Sequence, residues 1–199
     1  MSRFFISSLT INDVTRHRRL LNYLLLYSRH SGFKNEICPY SWAILNTVPP
    51  LSFVPAFIQI WTGCRYNEIF QVLIDDIRCN NPVLINSSKS KNKKYIPQLH
   101  LYKPNLLRSL DPATSVCVTS YDKYKNDIIK AKNFHKIQVP KNILDATHIF
   151  RHLEASWKSN LNLPLSDISS YLGHDSDKTT LSYIHDMKDF TPKPNRRKR

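Results

Sequence analysis

Apolar residues recur at helical spacing through most of the chain and give way to short strand-like runs only around residues 83–99. Residues 9–27 start at a capping Thr10 or Asn12 and line up Leu20, Leu21, Leu24 and Leu25 as one stripe, which predicts a helix. A second helix follows Pro50 or Pro55 and runs through residues 56–61, with Pro49-Pro50 as its upstream limit. Residues 67–73 are helical again by pattern. Asn80-Asn81-Pro82 then breaks the chain before an apolar strand at 83–85, and a second strand is expected at 95–99. The lysine-rich SSKSKNKK between them has the composition of a hairpin tip. Further helices are expected at 103–110, 121–132, 148–160, Leu165–Leu172 and, after an Asp175 cap, 176–185. With no internal repeat, the pattern describes a mostly helical domain with one small antiparallel β-sheet, of class α+β.

Composition narrows what such a domain does. Of 199 residues only three are glycine, Gly32, Gly63 and Gly173, where average usage of about 7% would supply many more. A phosphate-cradling P-loop or a GxGxxG fingerprint needs clustered glycines, so nucleotide-cofactor folds of those kinds are excluded. Cys38, Cys64, Cys79 and Cys117 are scattered, form no CxxC and follow no secretory leader, which predicts reduced thiols in an intracellular protein rather than disulfides or a metal site. No apolar run reaches the roughly 18 residues of a membrane span. The formal charge is +14, which points to a polyanion and most simply to nucleic acid. Residues 188–199 carry +5 of it in a proline-containing segment without apolar periodicity, so they are expected to form a disordered basic tail with Arg196 and Arg197 available to DNA. Such a tail is equally a solubilising end. The domain proper is expected to span residues 1–187.

Chemistry concentrates at a few positions. In HIFRH, residues 148–152, the residues Ile149, Leu153 and Trp157 form the buried stripe of a helix, leaving His148, Arg151 and His152 together on another side. Such a face suits a phosphate, or is a solvated basic face. Downstream, Leu172-Gly173-His174 puts a glycine just past a helix end, where the left-handed conformation favours it, and a histidine directly after. Tyr183 follows nine residues later. Upstream, Thr62-Gly63-Cys64-Arg65 sets another scarce glycine beside an arginine, with Glu68 one turn on.

These elements resemble the tyrosine recombinase, or phage integrase, family, whose catalytic domain carries T-G-x-R-x-x-E, a hairpin lysine, H-x-x-R-H, L-G-H and a tyrosine nine residues beyond the last histidine. Residues 62–68 match the first box and Asp76 the acidic position after it. Lys89, eight residues before Pro97, stands where the family's lysine stands, and 148–152, 172–174 and Tyr183 complete the order. The resemblance implies that Arg65 and Arg151 clamp a phosphate, whose oxygens the paired donors of guanidinium fit. It implies that Tyr183 is the nucleophile, His148 its base, His174 a donor to a nonbridging oxygen and Lys89 the acid for the leaving 5′ oxygen. Lys91, Lys93 and Lys94 compete with Lys89 for that role, or hold backbone phosphate. Glu68 orients the arginines, and His152 serves as a supporting or packing residue.

The activity so implied is DNA breakage and rejoining through a 3′-phosphotyrosine, with double-stranded DNA as partner and a dimer or tetramer on it. It uses no metal, no nucleotide cofactor and no membrane, and belongs to a virus or other mobile genetic element. The compartment would be cytoplasm or nucleoid, or the nucleus of a eukaryotic host. Two departures stand out. No separate N-terminal core-binding domain is expected within these residues, the chain being either a minimal recombinase or a fragment of a longer protein, and the sixteen residues after Tyr183 contain Pro192 and Pro194 and no amphipathic stripe for helix exchange. The same residues also fit a type IB topoisomerase, a telomere resolvase, or a non-catalytic DNA-binding protein derived from a recombinase.

Overall fold

The computed structural model describes residues 37–69, 71–79, 82–86, 91–95, 113, 115–117, 119–140, 143, 148–187 and 192. Its elements run α1 (Pro39–Thr47), α2 (Pro50–Thr62), α3 (Tyr66–Ile69), α4 (Ile74–Cys79), β1 (Pro82–Asn86), β2 (Lys91–Tyr95), α5 (Tyr121–Phe134), α6 (Ile149–Asn160), α7 (Leu165–Leu172) and α8 (Asp177–Met187). The helices expected at 9–27 and 103–110, and the basic tail, lie outside the described residues.

Helix α2 is apolar almost all round, and a helix of that kind has to be enclosed. Every residue from Ser52 to Ile60 is buried, and α1, α3, α5 and α6 pack around it. Two of its buried polar groups are satisfied from a neighbour. Ser52 Oγ donates to Asp127 Oδ2 at 2.7 Å, and Tyr124 Oη donates to Gln59 Oε1 at 2.6 Å, both from α5. Helix α5 itself begins where Ser120 accepts the Lys123 N–H. A second, smaller core of Ala155, Ile168 and Leu172 lies between α6, α7 and α8, with Tyr171, Tyr183 and Ile184 packed on it.

Several local expectations change. Helix α1 was hidden to pattern, its one signal being Pro39 at the first helical position. The helix expected over 67–73 is a single turn, α3. Beyond it Leu73 bridges Ser115, and Val72 O accepts the Val116 N–H at 3.0 Å, so the chain is drawn into an extended pairing. Asp76 then starts α4 by accepting the Leu73 N–H at 2.7 Å. In the hairpin, β1 and β2 pair antiparallel from Pro82 opposite Tyr95 to Asn86 opposite Lys91. Lys91, Lys93 and Lys94 therefore belong to the ladder rather than to the tip, and the second strand lies before 95–99. The connection is only residues 87–90. Helix α8 is capped by Ser176, whose Oγ accepts the Lys178 N–H, and not by Asp175.

One buried carboxyl stands out in this core. Glu154 of α6 is fully enclosed, its Oε1 accepts the Cys38 N–H at 3.0 Å, and Lys158 stands 3.6 Å from Oε2. Burial pushes the Glu154 carboxyl above its usual range, with Lys158 opposing. The folded chain thus holds this proton more tightly than the unfolded one. The stability it lends is complete below the ordinary value of about 4.3 and is lost as pH rises through the raised value. Glu154→Gln keeps an acceptor for Cys38 and removes the titration. It is expected to flatten the fall of the urea midpoint as pH rises above about 4. A variant whose midpoints track the wild-type curve contradicts this.

Candidate active site

The first part of the site is the turn that ends α2. Thr62 Oγ1 donates to Ile58 O at 2.7 Å and accepts the Cys64 N–H at 3.2 Å, which closes the helix. Gly63 follows with φ +62°, the left-handed cap conformation that glycine enters without strain. Arg65 then opens α3. Glu68 returns one carboxylate oxygen to the Arg65 N–H at 2.7 Å and the other to the Arg65 guanidinium at 2.9 Å. The side chain of Arg65 is about one-third exposed and that of Glu68 is nearly buried. A short capping motif therefore fixes an arginine whose outer face remains open to a ligand.

Arg151 comes from α6 and is fully buried. Residues 149–157 of this helix are all enclosed, so Arg151 and His152 do not form a solvated face. The Arg151 guanidinium lies between the C-terminal ends of two helices. Nη1 donates to Gly63 O at the end of α2, and Nη2 donates to Leu172 O at the end of α7, 2.9 Å away. Both ends are negative poles of helix dipoles, which partly compensate the cation. Burial, and then the charge of Arg65, still push the Arg151 pKa down. The pocket is thus short of negative charge, and Arg151 Nε has no acceptor among the described residues.

Gly173 ends α7 with φ +66°, and the His174 N–H closes back on Ser169 O at 3.0 Å. That turn aims the His174 ring at Arg151, with Nε2 3.1 Å from Nη2. Nδ1 of the same ring meets Thr180 Oγ1 at 3.0 Å, Thr180 meets Ser169 Oγ at 2.7 Å, and Ser169 donates to Asp177 Oδ1 at 2.5 Å. Tyr183, two turns into α8, lays its ring flat on His152 at 4.1 Å between centroids and 9° between planes. The His174 ring meets it edge-on at 4.9 Å, and the Arg151 guanidinium carbon is 5.7 Å from its centre. Tyr183 is half-buried.

Of the residues singled out by sequence, the structure brings Arg151, His152, His174 and Tyr183 into direct contact, with Arg65 and Glu68 close enough to act electrostatically on Arg151. His148 occupies the N-cap position of α6, without a side-chain cap bond, and is half-buried. Lys89, Arg196 and Arg197 lie outside the described residues. Lys91, Lys93 and Lys94 are placed by backbone alone, opposite Asn86, Leu84 and Val83. Among the described residues no cluster of three or more metal-ligating side chains occurs, and no helix is long and apolar enough to cross a membrane.

The Ser169, Thr180 and Asp177 group was missed by pattern. Tyr171 Oη donates to Ile60 O at 2.5 Å and so ties α7 to the last turn of α2. A methyl on Gly63 would stand 2.9 Å from Tyr171 O and 3.0 Å from its ring. Gly63→Ala therefore combines left-handed strain of about 1–2 kcal/mol with overpacking of about 1–3 kcal/mol. We expect a melting temperature lower by roughly 5–15 °C and weaker retention of Arg151, read by calorimetry. An unchanged melting temperature contradicts this packing.

No protein-family model and no curated protein matches the sequence. Among solved structures, the catalytic domain of bacteriophage HP1 integrase superposes with a TM-score of 0.54 over 74% of this chain and 84% of that one. The two share a fold. Identity is 20%, so the likeness is one of architecture.

Proposed function

We propose that this protein breaks and rejoins DNA as a site-specific recombinase or integrase of the tyrosine type, with the α+β catalytic architecture of that family. The observation that carries the reading is the Tyr183 ring held against Arg151, His174 and His152 in a pocket short of negative charge. A phosphodiester supplies the missing anion, and phosphoryl transfer asks for donors fixed where charge develops. The likeness to an integrase catalytic domain supports the same reading.

In this mechanism Arg65 and Arg151 hold the nonbridging oxygens of the scissile phosphate and His174 adds a third contact. Tyr183 Oη attacks phosphorus while its proton passes to His148. The bond from phosphorus to the 5′ oxygen breaks, the electron pair leaves with that oxygen, and Lys89 or another hairpin lysine protonates it. A 3′-phosphotyrosine and a free 5′ hydroxyl result. Attack of a 5′ hydroxyl on the phosphotyrosine reverses the step and rejoins the same or another strand. The cations come from the chain itself, so the reaction proceeds without metal or nucleotide. The assembled enzyme is a dimer or tetramer on duplex DNA, encoded by a virus or other mobile element.

The test is a covalent adduct. A randomised pool of nicked duplexes, incubated at low salt with chelator present, should yield protein-linked DNA that survives denaturant. Low salt matters because a grip built on phosphate contacts weakens steeply as salt rises. Absence of any adduct across the pool overturns the reading.

A further inference from the structure

Helices α2 and α7 meet at their C-terminal ends, and carbonyls at such ends have no partner inside their own helix. At the end of α2 the Gly63 N–H takes Gln59 O at 2.9 Å, and the Cys64 N–H turns to Thr62 Oγ1 at 3.2 Å. Side chains from other helices take two of the carbonyls there. Tyr171 Oη of α7 donates to Ile60 O at 2.5 Å, and Arg151 Nη1 of α6 donates to Gly63 O. At the end of α7 the Gly173 and His174 N–H groups take Ser170 O and Ser169 O, and Leu172 O receives Arg151 Nη2 at 2.9 Å. Tyr171 and Leu172 are neighbours in the chain. The bonds of these side chains therefore close a circuit, which runs from α2 through the Tyr171 phenol to Leu172 and returns through the Arg151 guanidinium.

We propose that Tyr171 is a positioning residue for Arg151: by fastening α7 to α2 it fixes the spacing of the two carbonyls that orient the guanidinium. A guanidinium is planar, so bonds from two of its nitrogens to two fixed oxygens set its plane and the direction of every remaining N–H. One of these, Nε–H, has no acceptor among the described residues. Without the phenol the circuit opens, and Gly63 O and Leu172 O are free to draw apart. Tyr171 is itself braced. The Lys158 ammonium, 3.6 Å from Glu154 Oε2, stands 4.4 Å from the centre of its ring, and the missing side chain of Gly63 leaves room for that ring. Burial pushes the Tyr171 phenol well above its usual range, so Oη remains a donor.

The catalytic part of this proposal rests on the strand-breaking reading. A misplacement of about 1 Å at a reacting group costs on the order of 10²-fold in rate. Tyr171→Phe keeps the ring and removes the bond to Ile60 O.

The experiment combines single-turnover adduct formation over a range of nicked-duplex concentrations with proton–nitrogen correlation of the Arg151 Nε–H in full-length protein labelled with nitrogen-15 arginine. Ile128→Val, which trims the core on α5 away from the site, serves as a destabilised control. Tyr171→Phe should lower the maximal rate about tenfold or more, leave the half-saturating DNA concentration within about twofold, and shift or broaden the Arg151 resonance. Ile128→Val should change none of these well below its melting temperature. If Tyr171→Phe does not fold, Lys158→Met removes the cation from the ring and should shift the same resonance and slow the same step. A Tyr171→Phe variant with the wild-type rate, a loss carried wholly by affinity, or an Arg151 resonance that stays in place overturns the proposal. Equal slowing in Ile128→Val overturns it too. A resonance that moves as stated in a protein that forms no adduct supports the positioning and overturns the strand-breaking reading alone.

Discussion

Tyr183→Phe is expected to reduce covalent adduct to background, a loss of at least ~10⁴-fold, while leaving folding and DNA affinity almost unchanged. The reason lies in how the ring is held. Its stacking on His152, its edge contact with His174 and its place near Arg151 are all contacts of the ring. Phenylalanine keeps these ring contacts and gives up the hydroxyl's polar contact with Arg151. What disappears is the oxygen that attacks phosphorus, and no neighbouring hydroxyl replaces it, since Thr180 and Ser169 are buried and already committed to one another. Melting temperature should stay within a few degrees, and retention of labelled duplex within about twofold. A variant that still forms adduct would move the nucleophile elsewhere. A variant that folds but no longer binds DNA would make Tyr183 a binding residue instead.

How far the site could be read from sequence depends on what kind of contact holds each part. The two scarce glycines pointed at their turns, and both turns deliver a carbonyl or a ring to Arg151 because a left-handed cap redirects the chain there. The apolar stripe of Ile149, Leu153 and Trp157 was equally plain. Its opposite side was not, because Arg151 is enclosed by carbonyl oxygens from other helices, and a polar residue met by backbone looks in sequence like one met by water. Ser169 and Thr180 are hidden because the side chains they bond, each other and those of Asp177 and His174, meet only once α7 and α8 are packed. Lys91, Lys93 and Lys94 carry turn-like composition yet sit in a ladder, where pairing with β1 decides and side-chain propensity does not. Helix α1 shows a further limit, since its buried Ser41, Ile44 and Leu45 make too short a stripe to separate from a loop.

Arg151→Lys is expected to damage both stability and chemistry, where Arg65→Lys should damage chemistry alone. The Arg151 fork satisfies Gly63 O and Leu172 O at once, from two nitrogens about the same planar group, and stands 3.1 Å from His174 Nε2. An ammonium concentrates its donors at one point and cannot span the ends of two helices. Each buried acceptor it fails to reach costs about 1–3 kcal/mol, so a loss of roughly 2–4 kcal/mol is expected from the urea midpoint. Arg65 differs because its guanidinium is partly solvated and its Glu68 bond is a local pair, worth at most about 1 kcal/mol. In the reaction both arginines meet the same developing charge. Removing one fork should slow adduct formation by roughly 10²–10³-fold in either variant, measured well below its melting temperature. Equal stability losses in the two variants would refute the division of labour drawn from burial. Adduct formation at the wild-type rate in Arg65→Lys would remove that residue from the clamp.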